Sequence, residues 1–304
     1  MERAEREEEV ERSDINNLER LPEGFISDIL ALTTPADACR SSLVSTVFKS
    51  AADSDVVWEK FLPADYQDII TRTLHPFPSA AAAPSKKELY YRLCNDPLLI
   101  DGGSKSFQLE KSSGKKCIML GANDLAIAWG NTPQYWENLR RYSSRFAKVA
   151  ELLHVCWLEI HGNLEIQLLS PNTLYVAYLV LQIQYNAFGF DNLPIKAKVE
   201  VFGGNTSVCS EERFIYLCPP DPMMEAQYFA RGRGDGWMEV EIGHFYNGGG
   251  DNEGGEVHMS VIETEKVKGG LIVQAANFVR RIFVAGYNGV LSMPRSSTAN
   301  LEFY

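Results

Sequence analysis

Two tryptophans, Trp129 and Trp136, stand seven residues apart in a loop-rich stretch. An indole face packs on the C–H side of a pyranose ring and adds about 0.5–1.5 kcal/mol beyond its buried area. The spacing alone assigns the pair no ligand. Trp129 also ends an apolar run, which leaves a place in the core open to it. Trp157 and Trp237 read mainly as packing or surface residues. Other spacings carry less chemistry. Arg231-Gly232-Arg233-Gly234-Asp235-Gly236 has the glycines of a phosphate loop, but it lacks a Lys-Ser/Thr ending and the next element is a predicted strand. His154 and His161 lie seven apart on a predicted strand, the wrong spacing for a helical zinc pair. Glu239 and Glu241 alternate outward from a strand, where carboxylates are solvated. No Ser-His-Asp or Cys-His arrangement has supporting context. The expectation is therefore no catalytic residue, no metal and no cofactor.

Composition narrows the partners. The chain has 304 residues, 45% hydrophobic and 11% aromatic, enough for a sizeable core and two domains. Its net charge of −11 argues against nucleic acid or an anionic membrane, because both reward clustered Lys and Arg. Residues 2–12 carry six Glu and three Arg and are not expected to act as a signal peptide. The longest apolar run, Leu174 to Leu181, is too short to cross a bilayer. Six cysteines (39, 94, 117, 156, 209 and 218) are scattered without a Cys-x-x-Cys pair, and most sit inside apolar patterns. A reducing compartment, cytoplasm and nucleus, is expected. There the sequon Asn205-Thr206-Ser207 and the tripeptide Arg233-Gly234-Asp235 have no use.

The elements change character along the chain. Ile26, Ile29 and Leu30 recur at helical spacing after Pro22. Thr34 is a good N-cap, Pro35 suits the first helical position and Asp37 the first turn. Cys39, Leu43, Val44, Val47 and Phe48 then predict one continuous stripe. A third helical segment opens at Ser54 or Asp55, shows Trp58, Phe61 and Leu62, and stops at Pro63. A unit of this size cannot hide so many large side chains within itself, and each is worth roughly 1.5–3 kcal/mol when moved out of water. Periodicity alone allows two covers: a second protein, or the chain's own downstream domain. Residues 71–87, with Pro76, Pro78 and Pro84, predict a mobile loop, and Lys86 to Cys94 one short helix. From Ser106 the period becomes two. Alternating strands are predicted around Leu158 and Ile160, along 175–183, and around Val199, Val240 and Met259. Many short strands with few helices between them suggest an antiparallel sandwich.

Two resemblances fit this order. The run Leu21-Pro22-Glu23-Gly24-Phe25-Ile26, Thr34-Pro35-Ala36-Asp37-Ala38-Cys39, Leu43 to Lys49 and Asp55 to Pro63 resembles an F-box, with Ser45 where many F-boxes carry a Cys. This implies docking on a Skp-family adaptor, and through it on a cullin. The adaptor-facing positions would be Leu21, Pro22, Ile26, Leu30, Pro35, Cys39, Val44, Trp58 and Phe61. Gly114 to Ala122, Leu125 to Gly130 with Pro133 to Trp136, Val149 to Ile160, Arg233 to Val240, Gly255 to Met259 and Lys268 to Val273 are similar to the phloem protein 2 lectin domain, whose best-known relative is the tobacco agglutinin Nictaba. The order of the two parts is that of plant F-box proteins of the phloem protein 2-B type.

The resemblance implies a multidomain α plus all-β chain, a three-helix F-box followed by an antiparallel, jelly-roll-like β-sandwich. Its expected divisions are an acidic disordered N-terminus (1–17), the F-box (18–65), a linker with a short helix (66–97), the lectin sandwich (98–274) and a divergent tail (275–304). That family normally ends its last strand in an Ile-Arg-Pro type tail. Here the run from Gln274-Ala275-Ala276-Asn277 to Tyr304 departs from it, which leaves two outcomes open: the tail replaces the last strand, or the sandwich is incomplete and a sheet edge is exposed. The implied sugar residues are Trp129 and Trp136, with Glu256 and Glu263 as carboxylates. The implied function is a non-catalytic substrate receptor of a Skp–cullin–F-box ubiquitin ligase that binds a glycoprotein through N-acetylglucosamine oligomers or N-glycan cores. Receptors for a sugar-free protein epitope, a free intracellular stress or defence lectin and, more distantly, a glycosidase are the alternatives.

Overall fold

The structure is a computed structural model that describes residues 21–75, 85–203, 212–218, 228–248 and 254–281. The acidic N-terminus, most of the Pro- and Ala-rich connector, the sequon and the end of the tail lie outside these. The chain divides into two compact units, one from Met1–Leu98 and Gln108–Lys115, the other from Leu99–Phe107 and Lys116–Tyr304.

The helical unit contains α1 (Glu23–Ala31), α2 (Pro35–Ser41), α3 (Thr46–Asp53), α4 (Asp55–Phe61), α5 (Tyr66–Thr71) and α6 (Lys86–Asn95). Short polar side chains punctuate it. The Thr34 hydroxyl accepts from the Asp37 amide at 3.1 Å, with Pro35 at the first helical position. Ser54 and Ser85 cap α4 and α6 in the same way. Ser45 does this too, at the start of α3, and so breaks the continuous stripe expected from Cys39 to Phe48. The Ser42 hydroxyl donates back to the Cys39 carbonyl at 2.7 Å, and Leu43 and Val44 are left in the connection between two helices. Local capping here outweighs apolar spacing.

Trp58 is the centre of this unit. Its ring is fully buried, with centroids 5.5 Å from Phe61, 5.1 Å from Tyr90 and 5.4 Å from Tyr91, and its indole N–H donates to the Ala52 carbonyl at 2.7 Å. Tyr90 and Tyr91 come from α6, in the segment expected to be linker. That helix belongs to the same compact unit and supplies the cover for Trp58.

The β unit has two antiparallel sheets. In the larger, β1 (Leu98–Ile100), β2 (Lys105–Leu109), β3 (Lys116–Gly121), β14 (Gly269–Arg280), β8 (Thr173–Phe188), β12 (Met238–Asn247) and β11 (Arg231–Gly232) follow one another across the sheet. β6 (Val149–Leu152) also pairs with β14 and carries β5 (Trp136–Leu139). The smaller sheet runs β10 (Arg213–Ile215), β9 (Ile195–Phe202), β13 (Glu256–Glu263), β7 (Leu158–Glu165) and β4 (Ala126–Ile127). This is the expected antiparallel sandwich. The larger sheet is covered on its second face as well: Phe146 and Trp237 pack there with Met119, Val149, Val180, Ile272 and Ala275. The smaller sheet keeps strict alternation, buried inward and exposed or half-buried outward.

Of the two outcomes left open for the tail, the structure has the first, a strand that continues past the departure from the family pattern. β14 runs past Gln274 to Arg280, buried along nearly its whole length, and pairs with β3 on one side and β8 on the other. Ala275, Ala276, Phe278 and Val279 suit a central strand covered on both faces, which needs no alternation. Sequence that departs from a family's ending still closes the sheet when its side chains fit.

Candidate functional site

The helical unit is considered first. Of the nine residues expected to face an adaptor, Ile26, Leu30, Pro35, Trp58 and Phe61 are buried, Leu21 and Cys39 are half-buried, and Pro22 and Val44 are exposed. For the buried five the expectation is corrected: their side chains build the core of the helical unit and offer a partner no surface. Other apolar residues stand outside. Phe25, Ile29 and Leu32 on and after α1, Leu43 and Val44 before α3, and Val56 on α4 are each about half exposed or more. Phe25, Ile29 and Leu32 follow i, i+4, i+7 spacing, a second apolar stripe beside Ile26 and Leu30. α1 therefore carries an apolar side too broad for its own core to cover, a signal present in the sequence.

In the β unit the four expected sugar residues do not converge. Trp129 is 58% exposed and holds φ at +59°, a left-handed conformation that is costly for a side chain of this size and projects the indole from a tight turn. Its ring meets Tyr135 edge-on at 6.2 Å, and Tyr135 meets His154 at 5.7 Å. Trp136, by contrast, is 3% exposed in β5. It is a core residue. Glu263 is buried too. It forms an ion pair with Lys268, itself fully buried, and accepts from the backbone amides of Glu265 and Lys266 at 2.9 and 3.3 Å. Lys268 also donates to the Cys156 carbonyl at 2.5 Å. These contacts bind the β13–β14 turn together, so Glu263 is corrected from ligand acceptor to loop fastening.

Glu256 is exposed, but at the far end of the sheet. It pairs with Glu165 at one end of β7, whereas the Ala128 amide donates to the Glu159 carbonyl near the other. Six residues of strand, roughly 20 Å at 3.3 Å each, part these two points. Seven-residue spacing on β13 placed Glu256 outward and Glu263 inward, because a strand alternates with period two.

What the structure does bring together lies on the outer face of the smaller sheet. The Trp157 indole N–H donates to Glu159 Oε2 at 2.7 Å, and Glu159 Oε1 pairs with His161 Nε2 at 2.7 Å. These two bonds, His161 foremost, hold the Glu159 carboxyl below its usual value. The His161 ring stacks on His258 at 5.4 Å and 18°, and His258 meets Phe202 at 5.9 Å and 69°. Burial, then the neighbouring His161, lowers His258 below the ordinary histidine range. Period-two alternation about Leu158, Ile160 and Met259 turns Glu159, His161 and His258 outward but goes no further, because neighbours across strands depend on register. Among the described residues no group of three or more His, Cys, Asp or Glu could hold a metal, and no helix is long and apolar enough to cross a membrane.

This is the architecture of a small helical module joined in one chain to an antiparallel β-sandwich. The family profile for phloem protein 2 matches residues 115–279. Among similar proteins of Arabidopsis thaliana, "F-box protein PP2-B10" is 44% identical over 268 residues, covering 86% of this chain and 94% of that protein. "F-box protein PP2-B15" is 38% identical over 274 residues, 83% of this chain and 93% of that one. The chain belongs to the phloem protein 2 family, as an F-box protein of the PP2 type. Among solved structures, one described as TmCBM61 in complex with β-1,4-galactotriose is 9% identical, covers 53% of this chain and 91% of its own, and superposes with a TM-score of 0.28. A likeness that low carries no argument.

Proposed function

We propose that this protein is a substrate-recognition subunit of a Skp–cullin–F-box ubiquitin ligase in the cytoplasm and nucleus, without catalysis of its own. The observation that carries the proposal is the apolar exterior of the helical unit. Single exposed apolar residues are ordinary; six large ones between Phe25 and Val56 are a surface in need of a cover. An F-box homologue by family, with such a surface, is suited to a Skp adaptor. The β unit then holds a target near the charged conjugating enzyme and raises the effective concentration of its lysines. Capture of a plant Skp adaptor by the full chain tests this. Leu43→Asp with Val44→Asp is expected to cut capture at least tenfold, since each buried aliphatic contributes about 1.5–3 kcal/mol. Undiminished capture by the folded variant, or none by the wild type, defeats the proposal.

For the target we propose a glycoprotein, bound through a neutral saccharide such as an N-acetylglucosamine oligomer or an N-glycan core. The outward indole of Trp129 and the exposed ring-and-carboxylate face of the smaller sheet support this. The burial of Trp136 and Glu263 favours a second reading, a receptor for a protein epitope without sugar. A glycan array separates the two: a blank array with the wild-type chain removes the saccharide reading.

A further inference from the structure

The exposed face of the five-stranded sheet is ordered by its register. Glu165, Glu256 and Phe202 form one cross-strand row, Asn163, His258 and Glu200 the next, and His161, Ser260 and Lys198 the third. The inward neighbours of these positions, among them Leu164, Val257 and Val201, are buried, so the rows stand on a rigid floor. Across the rows runs a continuous diagonal: Trp157 to Glu159 to His161 by hydrogen bonds, then His258 and Phe202 by ring contact.

We propose that this diagonal is the saccharide-binding face, taking a neutral oligosaccharide laid across β7, β13 and β9; it rests on the reading that the β unit binds sugar. The chemistry is graded along the line. Its two ends are apolar rings, Trp157 at 52% and Phe202 at 49% exposure, that offer surface to the C–H side of a pyranose. Its middle is polar. Neutral His258 has one donor and one acceptor nitrogen, and neither has a hydrogen-bond partner among the described residues. Glu159 and Glu256 stand beside the rings as acceptors for hydroxyl protons. Charge selects against anions: Glu159, Glu165, Glu200 and Glu256 outnumber Lys196 and Lys198 on these strands, and Lys198 is already paired with Glu200 at 2.5 Å. Interleaved carboxylates also make a poor centre for a protein interface, where charge is depleted. A ligand rich in hydroxyls with apolar ring faces matches both halves of this surface. At the side of β4 the residue opposite His161 is Ala126, too short to cover the imidazole.

The test uses the full chain on a glycan array and then in titrations with triacetylchitotriose and with the strongest neutral oligosaccharide on the array. Trp157→Ala and Phe202→Ala are each expected to weaken binding roughly three- to tenfold, the equivalent of one ring contact. Trp157→Phe is expected to retain most of it, and thermal melting checks that the variants fold. Wild-type binding that survives Trp157→Ala and Phe202→Ala together overturns this inference and leaves the sugar reading standing. A wild-type chain that binds no glycan overturns both. Target capture through this face that a neutral oligosaccharide does not compete also overturns it, by assigning the face to protein.

Discussion

The helical unit and the smaller sheet of the β unit both leave ring or apolar surface uncovered, and they do so in opposite ways. On the helical unit the exposed side chains are Phe25, Ile29, Leu32, Leu43, Val44 and Val56, each without a hydrogen-bonding group. On the sheet, every ring has a polar neighbour: Trp157 is bonded to Glu159, His161 to the same carboxylate, and Phe202 lies opposite Glu256. The first surface gains only by meeting another apolar surface. The second keeps its polar groups wet or exchanges them for hydroxyls. Exposure alone makes both simply uncovered apolar surface; what interrupts the apolar area is what tells them apart.

The contrast can be broken most forcefully from the inside. Trp58→Ala empties the centre of the helical unit and is expected to cost about 3–5 kcal/mol, read as an early transition in denaturant unfolding of the full chain. Leu43→Ser, on its surface, is expected to stay within about 0.5 kcal/mol while adaptor capture falls. Equal losses from the two would erase the distinction between core and docking surface. In the β unit, Lys268→Met leaves Glu263 buried without its cation and is expected to cost about 3–5 kcal/mol. Adding Glu263→Leu is expected to restore most of that loss. Glycan binding by the folded double variant should then match the wild type, and a specific loss of binding would return Glu263 to the ligand site. Trp129→Ala is expected to move stability by about 0.5 kcal/mol or less, because the ring is largely exposed and any side chain with a Cβ keeps the cost of the left-handed φ.

The smallest effect is on pH. His258 and His244 are both held below the ordinary 6.5, by burial first and then by the cations or histidine beside them. The unfolded chain therefore takes up these protons before the folded one. Their contribution to stability is complete above about pH 6.5 and declines as pH falls through the folded values. Glu159, also lowered, adds a further decline below 4.5. Melting temperature is expected to drop modestly between pH 7 and 5, and less steeply in His258→Gln. A slope that is unchanged in that variant would show that the stacked pair is not its source.

Much of the molecule was legible from local pattern. Thr34 and Ser54 announce their helices because capping involves atoms three residues apart or fewer. The strands of the smaller sheet announce their two faces by alternation. The site was less legible, and the tryptophans show why. Trp58, Trp136 and Trp237 are buried while Trp129 and Trp157 project. All five are apolar residues of the same type, and for Trp58 and Trp237 what separates them is cover from distant chain, Tyr90 and Tyr91 of α6 in one case and Ser143 and Phe146 in the other.

Sequence by itself determined the helical module, the alternating strands, the acidic balance and the family, since each is written in residue types at short range. Tertiary structure alone decided that the strand through Ala275 to Arg280 closes the larger sheet, that Glu263 fastens a turn, and that Trp157, Glu159, His161, His258 and Phe202 share one face. Those outcomes depend on strand register and on which side chain covers which. Both are settled by packing between segments as far apart as Phe278 and its partner Ile118, where no local spacing reaches.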